Sequence, residues 1–96
     1  MPTLQVSGEI DLSTVPMLHD ALRRIISDHL AQTVAIDLDG ISVLDDTGLG
    51  VLLGAAGRAR EQGGDLVIVC TAERLLRRFD LSGLSRAVDV RARITP

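Results

Sequence analysis

The sequence predicts an α/β fold, in which about four strands form a mainly parallel or mixed sheet with about three helices packed on it. Segments typical of strands and of helices alternate along the chain, in the order β-α-β-α-β-α-β, and short connections join them. This alternation favours parallel strands linked by right-handed crossovers. Since the chain has only 96 residues, we expect one domain that spans residues 1–96.

A strand and an amphipathic helix open the chain. Leu4 to Ser7 alternates apolar and polar side chains, which is typical of a half-buried strand, and the next four residues extend or end it. Ser13 or Thr14 can cap the following helix, and Pro16 suits its first turn. We expect this helix to end near His29. Its apolar stripe has spacings of one, three and four residues: Val15, Leu18, Leu22, Ile25 and Ile26.

The middle of the chain predicts a second strand and a second helix. Residues 33–38 alternate in polarity, and a second apolar piece follows at residues 41–44. Residues 47–62 are rich in Leu, Ala and Gly and predict a helix that stops at Gly63 and Gly64.

The last third predicts a buried strand, a short helix and an edge strand. Residues 66–70 are apolar at every position, which is typical of a parallel strand buried on both faces. Residues 72–79 predict a helix with Thr71 as its N-cap, and Gly83 follows as a breaker. Residues 87–94 alternate in polarity, as an edge strand with one solvated face does.

Composition argues against several classes of function. The net charge is −3, and the ten arginines are spread along the chain, so we expect no nucleic-acid partner. The sequence has no run of about 18 apolar residues and no visible signal peptide. Its single cysteine, Cys70, excludes an intramolecular disulfide and fits a core position. We therefore expect a cytoplasmic protein that neither enters a membrane nor holds a cofactor.

The loop at residues 45–50 is the strongest candidate site. It lies between a strand end and a helix start, where ligands bind in open α/β sheets. The free N–H groups of a helix N-terminus would favour a carboxylate or phosphate near Asp46 and Thr47. The simpler alternative is that one aspartate caps the helix and the other is solvated, and composition alone favours it.

Two further patterns have simpler explanations. His19 and His29 lack partners at metal-ligand spacing, so we expect surface residues and no metal site. The glycines of the second helix do not match a dinucleotide-binding spacing, and we expect them to allow close approach of this helix to the sheet. These glycines are Gly48, Gly50, Gly54 and Gly57.

Three stretches of the sequence together resemble the bacterial anti-sigma-factor antagonists, which are STAS domains. The first is Gly8-Glu9-Ile10-Asp11 with the helix start that follows. The second is residues 36–52, with the sequence IDLDGISVLDDTGLGVL, and the third is residues 75–84, with the sequence LLRRFDLSGL. The second stretch is the most specific because its D-x-[ST]-G-L-G loop leads directly into a helix.

This resemblance implies the STAS fold, a regulatory function without catalysis, and an anti-sigma factor of the serine-kinase type as partner. In that family the partner phosphorylates the residue that follows the first Asp of the loop, and the complex is then lost because phosphate adds charge and bulk. It implies a docking surface in which the first loop lies beside the second. The predicted contact residues are Asp11, Asp45, Asp46, Thr47, Gly48 and Gly50.

The sequence departs from the family pattern at this position and at its ends. Asp46 replaces the phosphorylated Ser, so it is either a permanent partial phosphate mimic or tolerated by the partner. Relative to the family, we expect the first strand and final helix to be missing, and an unpaired edge strand could support a homodimer. Two alternatives stay open: a STAS subunit of another assembly, such as a lipid-transport ATPase complex or a stressosome, and a small module that binds nucleotides or other anions.

Overall fold

Strands and helices alternate in the computed structural model, which describes residues 1–93. The strands in this range are β1 (Thr3–Ile10), β2 (Thr33–Leu44), β3 (Asp65–Val69) and β4 (Asp89–Arg91). The helices in this range are α1 (Val15–Asp28), α2 (Asp46–Glu61), α3 (Glu73–Ser82) and α4 (Leu84–Ala87). None of these helices combines the length and the apolar character that crossing a membrane requires.

All strand pairs are parallel, and the order in the sheet is β1-β2-β3-β4. This confirms the predicted α/β fold with a mainly parallel sheet. Because the strands are parallel, their carboxyl ends lie at one end of the sheet, and the loops after β1 and β2 are neighbours. The strands β1 and β4 form the two edges of this sheet.

The main core lies between the sheet and the helices. Its buried residues come from all four helices, and they pack with alternate residues of β2 and β3, such as Ile36 and Ile68. A smaller cluster holds Ala35, Val67 and Val69, which alternate with the main-core residues and therefore face the opposite side of the sheet. The strand β3 is thus buried on both faces, as its apolar sequence predicts.

The two pieces predicted at residues 33–38 and 41–44 form one continuous strand. Irregular pairing with β1 accommodates the whole of β2, because the register shifts between Gln5 and Ser7 and again between Gly8 and Glu9. A Cβ atom at Gly40 would lie 2.9 Å from the Ser7 Cβ atom. The glycine at position 40 therefore permits the close approach of β1 instead of ending the strand.

The region after α3 differs most from the sequence prediction. The helix α3 continues to Ser82 and ends at Gly83, which has a φ of +84°. The short helix α4 follows, and its carbonyl at Leu84 accepts a 2.9 Å hydrogen bond from the Val88 amide. Leu84 and Val88 are both buried, so a helical spacing places both in the core. Of the strand predicted at residues 87–94, only Asp89–Arg91 is a strand, and Ile94 lies outside the described residues.

Candidate functional site at the carboxyl ends of β1 and β2

The carboxyl ends of β1 and β2 bring two acidic loops together. Ile10 pairs with Leu44 at the last position of the ladder, and the Asp45 amide donates a 3.1 Å hydrogen bond to the Ile10 carbonyl. Asp11 and Asp45 therefore lie close enough for the Asp11 charge to oppose ionisation of Asp45. The structure thus places the two loops side by side, as the resemblance implies.

Asp11 organises the first loop. Its Oδ1 atom accepts hydrogen bonds from the Ser13 hydroxyl at 2.7 Å, the Ser13 amide at 3.0 Å and the Thr14 amide at 3.2 Å. These bonds, led by that of the Ser13 hydroxyl, hold the pKa of Asp11 below its ordinary value. The carboxylate is therefore occupied in fixing the entry to α1.

Thr14 holds the N-cap position of α1, but its side chain does not cap the helix. Its hydroxyl accepts a 2.9 Å hydrogen bond from the Asp11 amide and donates a 2.8 Å bond to the Glu9 carbonyl. The predicted N-cap position is therefore confirmed at Thr14, but its hydroxyl bonds to Asp11 and Glu9 instead of capping the first turn. Thr71 was also predicted as an N-cap, but Ala72 holds that position in α3.

The Thr71 amide and hydroxyl instead donate to the Asp39 carboxylate, at 2.6 and 3.1 Å. Asp39 lies in β2 and Thr71 follows β3, so this contact joins two segments that local sequence rules do not relate. This contact, above all the bond from the Thr71 amide, holds the pKa of Asp39 below its ordinary value.

Asp45 is the N-cap of α2. Its Oδ1 atom accepts hydrogen bonds from the Thr47 hydroxyl at 2.5 Å and from the Gly48 amide at 3.2 Å. The Thr47 bond above all, and then the amide bonds, hold the pKa of Asp45 below its ordinary value, while partial desolvation and the Asp11 charge oppose them. The capping role predicted for one of the two aspartates is therefore confirmed for Asp45.

Asp46 is the most exposed acidic group of the loop, with 97% of its side-chain surface accessible. Its Oδ1 atom lies 3.0 Å from the Nη2 atom of Arg78, on α3. The Nε atom of Arg78 is buried and has no hydrogen-bond partner in residues 1–93. Sequence reasoning missed Arg78, because the pair is separated by 32 residues and only the fold joins them.

The glycines of α2 divide into one buried residue and three that face open space. A Cβ atom at Gly48 would lie 2.6 Å from Leu44 Cδ1 and 2.8 Å from Ile10 Cγ2. At the other positions a Cβ atom would meet nothing within 4 Å. These positions are Gly50, Gly54 and Gly57. The expected close approach to the sheet is therefore confirmed only at Gly48, since the other three lie on the outer side of the helix.

Comparisons with known proteins agree with this architecture. The family model for the STAS domain matches residues 2–95. The chain belongs to the STAS domain family. It is 34% identical to the anti-sigma-B factor antagonist of Bacillus subtilis strain 168, over 94% of this chain and 81% of that protein.

Solved structures of related proteins share the fold of this STAS domain. An anti-sigma factor antagonist from Mycobacterium paratuberculosis superposes with a TM-score of 0.84 at 26% identity, covering 96% of this chain and 77% of that one. The Bacillus cell fate determinant SpoIIAA, in its phosphorylated form, superposes with a TM-score of 0.67 over 92% of this chain and 79% of its own. Its identity of 19% supports the fold alone.

Exposed apolar side chains adjoin the acidic loops of this STAS domain. Leu12 follows Asp11 in the first loop and is 74% exposed. Leu53 is 40% exposed and follows Gly50 by one turn on the outer side of α2. An apolar patch rimmed by polar residues is typical of a protein contact surface. Polarity patterns alone could not separate Leu53 from its buried neighbour Leu52.

The remaining candidates of the sequence analysis lie elsewhere. Cys70 is buried in the main core, where desolvation above all raises the pKa of its thiol, so its predicted place as a core residue is confirmed. His19 and His29 are partly exposed on α1 and at its end. Residues 1–93 contain no group of three or more His, Cys, Asp or Glu side chains arranged to hold a metal ion.

Proposed function

We propose that this STAS domain is a non-enzymatic anti-sigma-factor antagonist. The observation that carries the proposal is the exposed corner at the carboxyl ends of β1 and β2, in a chain whose relatives are anti-sigma-B factor antagonists. The term docking corner is used here for the residues that reach the surface at this site. It comprises Asp11, Leu12, Asp45, Asp46, Thr47, Gly50 and Leu53.

The buried glycine stands outside the docking corner. Gly48 packs against Leu44 and Ile10, so it supports the corner from beneath without offering a surface. Gly50 has open space around it, which lets a partner approach the backbone of α2 closely. The three aspartates of the corner give it a negative charge, and a basic surface on the partner would complement it.

Asp46 makes the corner independent of phosphorylation. It carries one negative charge, against about 1.5 to 2 for a phosphate group. Arg78 lies 3.0 Å from this carboxylate and offsets part of that charge. A phosphorylated serine excludes a partner by charge and bulk, and Asp46 supplies less of both. The proposed partner is an anti-sigma factor of the serine-kinase type, which binds this corner without modifying it.

Thr47 is a poor substitute as a phosphate acceptor. Its hydroxyl donates to the Asp45 carboxylate at 2.5 Å, so its proton is already engaged. A phosphate on Thr47 would also lie beside the carboxylates of Asp45 and Asp11, and like charges at short distance repel each other. Both features oppose modification at this position.

The experiment is a binding and phosphorylation assay with the anti-sigma kinase of the source organism. We expect the unmodified protein to bind and to gain no phosphate when ATP is added, as measured by calorimetry and intact mass. Asp46→Ser should bind more tightly before modification, accept one phosphate, and then release the partner.

The control is Asp28→Ser, which makes the same chemical change on an exposed residue at the C-terminus of α1, away from the docking corner. It should bind like the unmodified protein and accept no phosphate. Absence of binding by both the unmodified protein and Asp46→Ser would refute the antagonist function. Phosphate on Thr47 of the unmodified protein would refute the unswitchable corner while leaving the partner assignment intact.

A further inference from the structure

A second polar site lies between the carboxyl-terminal halves of α1 and α2. It is an open groove of about 570 Å³, and its polar lining comes from both helices. The polar lining residues are Asp20, Arg23, Arg24, Ser27, Arg58 and Gln62. The groove is separate from the docking corner, because Arg58 lies 12 residues from Asp46 along α2, or about 18 Å.

Arg58 lines this groove, and two of its hydrogen-bond donors have no acceptor within residues 1–93. Its Nε and Nη2 atoms are buried and unpartnered within residues 1–93, and its Nη1 atom lies 3.5 Å from His19 Nε2. A buried donor without an acceptor is costly, and a guanidinium presents its donors in a rigid fork. Such a fork fits the oxygens of an anion.

The charge of the groove is opposite to that of the chain. Its lining holds three arginines and one aspartate, a net charge of +2, whereas the whole chain carries −3. The carboxylate of Asp20 lies 3.8 Å from a guanidinium nitrogen of Arg23 and 3.9 Å from a ring nitrogen of His19, so it faces these two side chains. Within the described residues Arg24 has no ion pair, which leaves two guanidinium groups, those of Arg24 and Arg58, without a carboxylate.

Arginines near helix C-termini also have a simpler explanation. The helix dipole favours positive charge in the last turn, and Arg58 and Arg60 both lie in the last turn of α2. Arg60 fits that explanation, since its guanidinium donates to Asp65 and to the Ala87 carbonyl. The dipole explains the charge of Arg58 but not its two buried donors, which point to a missing acceptor.

We infer that this groove binds a phosphate group, with Arg58 and Arg24 as the residues that hold it. The phosphate oxygens accept hydrogen bonds from the guanidinium of Arg58, and Arg24 adds charge from the facing helix. Ser27 and Gln62 contribute neutral polar groups to the lining. The groove is larger than an inorganic phosphate ion, so it also has room for a small phosphomonoester. The bound group is therefore either a free phosphate ion or the phosphate of such an ester.

The experiment titrates the isotope-labelled full chain with inorganic phosphate and, separately, with glycerol 3-phosphate. We expect saturable shifts in the amide signals of the facing halves of α1 and α2 and in the Nε–H signal of Arg58. Tighter binding of glycerol 3-phosphate would identify a phosphomonoester as the ligand, and equal binding would identify phosphate itself. Signals of the docking corner should stay in place.

Arg58→Gln should weaken phosphate binding about tenfold, since it removes charge-assisted hydrogen bonds. The matched control is Arg77→Gln, which changes the net charge equally on an exposed residue of α3 outside the groove. It should change the affinity less than about twofold, as screened distant charges do. The inference is refuted if the shifts do not saturate, if they centre on the docking corner, or if both variants weaken binding equally.

Discussion

The inner and outer faces of α2 share one helix and a similar composition, yet they have different constraints. The inner face packs Gly48, Leu52 and a set of alanines into the core, where a Cβ atom at position 48 would clash with two side chains. The outer face carries Gly50, Leu53 and two further glycines, and nothing in the described structure lies against these glycines.

The difference shows which residues of α2 serve the fold. Glycine in a helix costs about 1 kcal/mol relative to alanine, and only Gly48 recovers this cost through packing within the chain. The outer glycines destabilise the isolated domain without any contact in return. The docking corner explains Gly50, and no structural feature explains Gly54 and Gly57. Pairs of neighbouring substitutions can separate the two faces.

The largest expected difference lies between Leu52→Ala and Leu53→Ala. Leu52 is fully buried, so its truncation should lower the free energy of unfolding by about 2 to 5 kcal/mol. Leu53 is 40% exposed, and its truncation should change that free energy by about 0.5 kcal/mol or less. Urea denaturation of both variants measures the difference. Equal losses would show that the outer face also serves the core.

A smaller difference is expected between Gly48→Ala and Gly50→Ala. The new methyl group at position 48 meets Leu44 and Ile10 and should destabilise the fold by about 1 to 3 kcal/mol. At position 50 it meets open space, so the gain in helix propensity should stabilise the fold by about 0.5 to 1 kcal/mol. Thermal denaturation followed by circular dichroism tests both. A destabilised Gly50→Ala would contradict the open outer face.

The smallest expected difference lies between Asp45→Asn and Asp46→Asn, in how far acid lowers the melting temperature. The pKa of Asp45 lies below its ordinary value of 3.8 in the folded state, so its stabilising effect is complete above pH 3.8 and is lost as the pH falls through the folded pKa. Asp45→Asn should therefore make the fall in melting temperature between pH 5 and pH 2 shallower.

Asp46→Asn is the control for this pH series, because it leaves the hydrogen bonds of Asp45 intact. The part of the acid-induced fall that comes from Asp45 should remain in this variant. Some decline should remain in Asp45→Asn, since Asp11 and Asp39 also have lowered pKa values. A decline in Asp45→Asn as steep as that of the unmodified protein would remove Asp45 from the acid-sensitive groups.

Local patterns predicted most elements, and they were wrong where a short segment satisfies two periods at once. Val88 and Val90 alternate as in a strand, but Leu84 and Val88 also have helical spacing, and burial of both in the core favours the helix α4. At the start of α1 the sequence predicted the N-cap position at Thr14, but not the bonds of its hydroxyl to Asp11 and Glu9.

The order of apolar and polar residues by itself determined the α/β class, the parallel sheet and the loop at residues 45–50, because periodicity and turn residues are local properties. Only the tertiary structure decided that Arg78 meets Asp46 and that one glycine of α2 is confined while three are free. It also decided that two donors of Arg58 lack an acceptor within residues 1–93. These features depend on contacts between different segments, and the geometry of such contacts depends on how the helices pack on the sheet.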